Sequence, residues 1–127
     1  MKTQKEIETL AQIITDCAQQ IHRDLGPGLV ATTYKKCLAN ALQKQGLAVE
    51  CDRPQPIIYQ GIKIDAGYHL DMIVENQIVL INLSVDRILT SHETQLFTLI
   101  KLSNCPLGMI INWNTTHIKQ GIKRVAL

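Results

Sequence analysis

The chain has 127 residues and a mass of 14.2 kDa, a size that predicts one domain over residues 1–127. Hydrophobic residues make up 46% and charged residues 19%, which excludes a disordered chain, while 4% aromatics leave too few rings for a surface that stacks nucleic-acid bases. The net charge of +2 says little about partners, but no apolar run reaches the ~20 residues of a membrane span and MKTQKEIETL lacks a signal-peptide core, so the expectation is a cytoplasmic protein with no membrane contact.

In chain order, residues 4–24 read as an amphipathic helix. Thr3 and Glu6 form a capping box, and Ile7, Leu10, Ile14, Cys17, Ala18 and Ile21 recur at helical spacing. Gly26-Pro27-Gly28 must interrupt it, because proline lacks the donor and glycine admits backbone angles that other residues avoid. A second helix is predicted over about 29–45, with the stripe Val30, Tyr34, Leu38, Ala41 and Leu42 and with Gly46 placed to end it. His22 is expected to close the end of the first helix. Tyr34 and Tyr68 are expected in the core, each with a tethered hydroxyl.

The pattern then changes to strands: residues 47–59, interrupted by Pro54 and Pro56; 62–75, after the turn Gln60-Gly61; and 78–85, reading IVLINLSV. A third helix is predicted over 91–103 with Ser91 as N-cap and Glu93 in its first turn. A short strand over 107–113 and a last strand or edge over about 117–126 follow. The order ααβββαββ is α/β, with the two N-terminal helices forming a hairpin over one shared apolar seam and the spacing of the first three strands suggesting an antiparallel meander.

Four cysteines, at 17, 37, 51 and 105, form no CxxC pair, which argues against a zinc or iron–sulfur site. Cys17 and Cys37 fall on apolar stripes and read as buried free thiols. All acids lie within residues 1–93, whereas Lys101, Lys119, Lys123 and Arg124 follow without one. These four could meet the phosphates of a nucleic acid or simply be a solvated edge.

Several strings resemble the GxxExxY family, a branch of the PD-(D/E)XK nuclease-like superfamily. They are LGPGL at 25–29 followed by Tyr34 and Cys37-Leu38, Tyr68 with Asp71, His92-Glu93 with Gln95, GMIINWN at 108–114, and GIKR at 121–124. The resemblance implies a restriction-endonuclease-like core, a mixed sheet flanked by helices. It also implies a metal site built from a helix glutamate, a strand aspartate and an acid–x–lysine element on the next strand. Asp71 stands at the aspartate position, but Ala31, Ile81 and Leu83 replace the expected Glu, Glu and Lys.

Phosphodiester hydrolysis by that route needs a divalent cation to polarise phosphate and activate water. Asp71 alone is a weak ligand set for magnesium or manganese, and leucine cannot stabilise developing charge as lysine would. The leading reading is therefore a non-catalytic nuclease-like protein that acts by binding or oligomerisation and needs no cofactor. Small size, few aromatics and the apolar strand face Val79, Ile81, Leu83, Val85 suggest a two-fold homodimer. Two alternatives stay open. One is a metal-dependent nuclease acting on DNA or RNA, with Asp71 as metal ligand helped by Glu93 or His92 and with Gln95 near the substrate strand. The other is a purely structural homo-oligomer. His92, Glu93 and Gln95 equally suit a hydrogen-bond network at a helix start, and Asp71 equally suits a pairing with His69 or a lysine.

Overall fold

A computed structural model describes residues 2–127. Helix α1 (Gln4–Leu25) starts on the predicted capping box: the Thr3 hydroxyl accepts from the Glu6 amide, and the Glu6 carboxylate accepts from the Thr3 amide. Its apolar stripe is buried from Ile7 to Ala18. Helix α2 (Ala31–Lys44) lies antiparallel to it, and Gly46, at φ +82°, turns the chain away in the left-handed region where glycine is unstrained.

The strands are β1 (Val49–Pro54), β2 (Ile57–Tyr59), β3 (Ile62–Ile64), β4 (His69–Val74) and β5 (Ile78–Leu83). They are followed by α3 (Thr90–Ser103), β6 (Leu107–Asn112), a 3-10 turn over Ile118–Gly121, and β7 (Ile122–Ala126). Five strands form one mixed sheet in the order β1-β4-β5-β6-β7, antiparallel except for the parallel β5–β6 pair that α3 bridges. This is the α/β architecture the sequence predicts.

The element count differs in one place. Residues 47–59 and 62–75 are not two long strands; each is cut in two. Pro54 and Pro56 cannot both serve a ladder, so β2 and β3 leave the main sheet as a separate ribbon, registered Ile57↔Ile64 to Tyr59↔Ile62. At the C-terminus the predicted last strand begins only at Ile122. At the α3 start the N-cap is Leu89, not Ser91: no side chain caps the first amides of the helix, and the Nδ1 of His92 accepts from the Leu89 amide.

The two faces of the sheet carry separate cores. Met72, Val74, Ile78, Leu80, Met109 and Ile111 pack under α1 and α2, whereas Ile73, Val79 and Ile110 pack under α3 with Leu96, Leu99 and Ile100. Each such side chain contributes about 1.5–3 kcal/mol of burial. At Gly108 an added Cβ would lie 2.7 Å from a Leu96 side-chain carbon, so the glycine lets α3 settle closely on β6.

Candidate functional site

Tyr34, Asp71 and the Asn112-Trp113 end of the GMIINWN motif meet at one end of the sheet, where β4 starts and the parallel strands β5 and β6 finish. Open α/β sheets place their sites outside the carboxyl ends of such strands. Tyr34 is buried and stacks on Trp113, with centroids 4.8 Å apart and planes 2° from parallel. Its hydroxyl donates to the Gly26 carbonyl at 2.5 Å and accepts from the Leu29 amide, which fixes the LGPGL bend. The Trp113 indole donates to Asn82 Oδ1 at 3.0 Å. The Asn112 amide mimics a backbone, donating to the Val85 carbonyl and accepting from the Val85 N–H, and so prolongs β5 beyond its ladder.

Asp71 lies at the centre of this network. Its Oδ2 accepts from both the backbone and the side-chain N–H of Asn82, at 2.8 and 3.1 Å. Its Oδ1 is 2.8 Å from the Lys35 ammonium, which also donates to Asp52 at 2.7 Å. Lys35 is only 8% exposed. Burial disfavours its charge, but the hydrogen bonds and attraction of Asp52 and Asp71 outweigh that and hold its pKa above the ordinary lysine value. The same hydrogen bond and attraction hold the Asp52 carboxyl below the usual range.

Strand parity alone would turn Asp71 toward α3, alongside Ile73. The structure turns it toward α2. The β1–β4 register runs from Val49↔Val74 to Pro54↔His69 but skips the Asp52–Asp71 pair, and Asp52 adopts φ +54°. An aspartate tolerates that conformation better than most residues. The resulting twist puts Leu70 in the α3 core although it lies an odd step from Ile73, and it frees Asp71 for Lys35.

The replaced positions have diverged in two ways. Ile81 and Leu83 pack against the α3 core. Ala31 lines a cleft of about 510 Å³ with Leu29, Val30, Leu83 and Val85, over a floor that includes Asn82 and Ser84. The Ser84 hydroxyl donates to the Leu29 carbonyl and ties the α2 entry to the end of β5.

The other candidates do not converge on Asp71. His92 caps α3, Glu93 pairs with Lys123 at 3.1 Å, and Gln95 is exposed along a groove of about 550 Å³ beside Tyr68. Tyr68 is 52% exposed, not a core residue. The ring of His22 is within hydrogen-bond distance of the Thr115 carbonyl and joins α1 to the β6–β7 loop instead of closing its own helix end. The basic residues are dispersed. Lys123 and Arg124 are neighbours on β7 and so face opposite sides, pairing with Glu93 of α3 and Glu8 of α1. Lys101 sits over the Phe97 ring at 5.2 Å, and Lys119 lies on the 3-10 turn. Cys17 and Cys105 are buried free thiols whose pKa burial raises; Cys37 is half-buried and Cys51 exposed.

Lys35 and Asp52 are absent from the sequence-based candidates. One signal was present: Lys35 falls three residues before Leu38 and seven before Leu42, so a charge interrupts an apolar helical stripe. Asp52 gave no signal, because its partner is 17 residues away and its turn of backbone is invisible in composition.

This fold, with these motif residues at one end of its sheet, agrees with sequence comparison: residues 8–125 match the PD-(D/E)XK nuclease superfamily. The chain belongs to that superfamily. No curated protein and no solved structure matches it.

Superfamily membership raises the question of a divalent cation, and the donors here do not suit one. Of the positions expected to ligate the metal, only Asp71 carries an acid, and both its oxygens are engaged by Lys35 and Asn82. An ammonium beside the carboxylate repels a second cation, and Ile81 and Leu83 offer no ligand. Among the described residues, no three His, Cys, Asp or Glu side chains are grouped to hold a metal ion.

Proposed function

We propose that this protein is a member of the GxxExxY branch that has given up nuclease chemistry and acts by association, first of all with a second copy of itself. One observation carries the loss of chemistry. Where hydrolysis needs a bare carboxylate beside an acid and a lysine, Asp71 is tied to Lys35 and Asn82 while Ile81 and Leu83 pack against the α3 core. The branch assignment draws support from Gly26, Gly28 and Tyr34, which together build the bend that the LGPGL and Tyr motif describes. Four free thiols suit a reducing cytoplasm.

The self-association reading draws on the β2–β3 ribbon. Ile57, Tyr59, Ile62 and Ile64 share one of its faces by register, and Tyr59 and Ile62 are each 64% exposed. A two-stranded ribbon is marginal without a third layer. Beside it runs the groove of Tyr68, Thr94, Gln95, Thr98, Leu99 and Leu102, and Gln55 at the ribbon's base donates to the Leu102 carbonyl. Neither the β2 strand nor the groove carries a charge, which favours each as the other's partner across a two-fold axis.

Incubation with DNA and RNA in Mg²⁺ or Mn²⁺ tests the first half, and no cleavage is expected. Light scattering tests the second, with a dimer mass expected at tens of micromolar. Steady cleavage lost in Asp71→Ala would overturn the non-catalytic reading. A monomer mass at every concentration, or a salt-dependent DNA affinity in its place, would overturn self-association.

A further inference from the structure

We propose that the cleft between the last turn of α1 and the β6–β7 connection is a phosphate site, which takes up a proton on His22 as it binds the anion. The cleft shares no residue with the ribbon or with the groove beside Tyr68, so such a site exists whether or not the chain self-associates. Its volume is about 330 Å³. Gln19, His22 and Arg23 line one wall, because residues three and four apart share a helix face. Thr116, His117 and Lys119 line the other. Ile118 is buried in the core under α1, which pins the short turn and leaves its two basic neighbours at the surface.

His22 sets this cleft apart from an ordinary charged surface. The residue is 7% exposed, and its Nε2 is 2.9 Å from the Thr115 carbonyl. A carbonyl only accepts, so Nε2 carries the hydrogen and donates. Nδ1 has no hydrogen-bond partner among the described residues. No fully buried side-chain nitrogen or oxygen among them lacks one, so Nδ1 opens into the cleft that its ring lines. In the neutral ring Nδ1 is a lone pair, which an anion repels. A proton turns it into a charged donor, and with the tautomer fixed by Thr115 there is no other way to make one. His117 is exposed and free to offer an N–H without gaining a proton.

Among the described residues no acid lines the cleft. Asp16 and Asp24, which flank it in sequence on α1, accept from Gln12 and Gln20. The carbonyl end of α1 opposes an anion with only about half a charge, less than Arg23, Lys119 and a protonated His22 supply together. Cations on two walls suit a dianion with oxygens on every side, whereas a carboxylate has both oxygens at one end. Arg23 gives one N–H to Gln20 and keeps the rest of its planar fork for two phosphate oxygens.

Calorimetric titration of the full chain with inorganic phosphate, at constant ionic strength, tests the site. One phosphate per chain is expected, and Arg23→Ala/Lys119→Ala should weaken it about tenfold or more. Lys36→Ala/Lys44→Ala removes the same two charges outside the cleft and should leave the affinity unchanged. AMP distinguishes the source of the phosphate: equal or weaker affinity identifies the free ion, and tighter binding identifies a nucleotide. Sulfate, a dianion throughout, replaces phosphate in a pH series. Its affinity should rise about fivefold or more from pH 8 to pH 6, a rise that His117→Gln largely keeps and His22→Gln loses. Absence of saturable phosphate binding overturns the inference. So does equal weakening by the two double variants, which would reduce the effect to net charge, and so does sulfate binding indifferent to pH. If His22→Gln leaves the chain unfolded, Arg23→Ala/Lys119→Ala still decides, since both residues are exposed. A dimer that persists without phosphate binding separates failure of this site from failure of self-association.

Discussion

The Asp71 end of the sheet and the β2–β3 ribbon invert each other. At the first, Lys35, Asn82 and Asn112 are withdrawn from water and each has a partner: Lys35 with two aspartates, Asn82 with Asp71 and Trp113, Asn112 with Val85. At the second, isoleucine and tyrosine stand in water with no third layer over them. A buried polar network costs heavily when one member is missing. An exposed apolar ribbon costs almost nothing to alter in the monomer. The contrast separates a part of the molecule that holds the fold from a part whose apolar side chains nothing in the fold covers.

Substitutions at the two regions should therefore differ sharply. The largest effect is expected for Trp113→Ala, which removes the ring stacked on Tyr34 and leaves Asn82 Oδ1 without its donor. A loss of about 3–5 kcal/mol is expected, read from urea unfolding. Next comes Asp71→Leu, which leaves the Lys35 ammonium with only the exposed Asp52 and should cost about 3 kcal/mol. The double variant Asp71→Leu/Lys35→Met should recover part of that loss, because it removes the stranded charge, while the two Asn82 N–H donors that Asp71 accepted from stay unpaired in both variants. If the double variant is no better than the single, the ion pair is not what organises this end. On the ribbon, Ile62→Asp should change monomer stability by no more than about 0.5 kcal/mol while abolishing the dimer, checked by light scattering and thermal melting on one sample.

The smallest effect is in pH. Because folding raises the Lys35 pKa, its contribution is complete below the reference value of 10.5 and is lost as pH climbs through the raised value. Asp52 works oppositely: its lowered pKa contributes above the reference 3.8 and is lost as pH falls through the lowered value. Melting curves of wild type should therefore decline at both extremes. Lys35→Met should flatten the alkaline limb, and an unchanged limb would assign it to other lysines.

What the sequence made legible follows from how local each signal is. The capping box at Thr3, the Gly46 stop, most of the α1 and α2 stripes and the β5 and β6 runs are written in neighbours a few residues apart and are found, except that Val30 is 67% exposed at the α2 N-cap and β5 ends at Leu83, short of 85. The cut through 47–59 and 62–75 was harder to see, because the ribbon keeps the same apolar alternation as the strands it leaves; Pro54 and Pro56 were the warning. The α3 start was misplaced because the helix begins after Leu89, which has no side chain able to cap its first amides. At the candidate site Asp71 was singled out from its motif position alone. Its true partners were not, since Lys35 reaches it from α2 and the face it uses is set by the φ of Asp52 on another strand. Periodicity counts residues along one strand, and here the deciding angle belongs to its neighbour.

The ribbon also bears on how the chain closes upon itself. β1 and β4 pair directly, and residues 55–68 are an excursion between them. Loop-closure entropy grows only as the logarithm of length, so replacing that excursion by a four-residue turn would lower the closure cost by only about 1 kcal/mol. The sheet thus bears little thermodynamic penalty for carrying the ribbon. Gln60-Gly61 at its tip is accordingly a place where the backbone could be opened, new termini made there, or another domain inserted, with the pairing of β1 to β4 left to hold the two halves together.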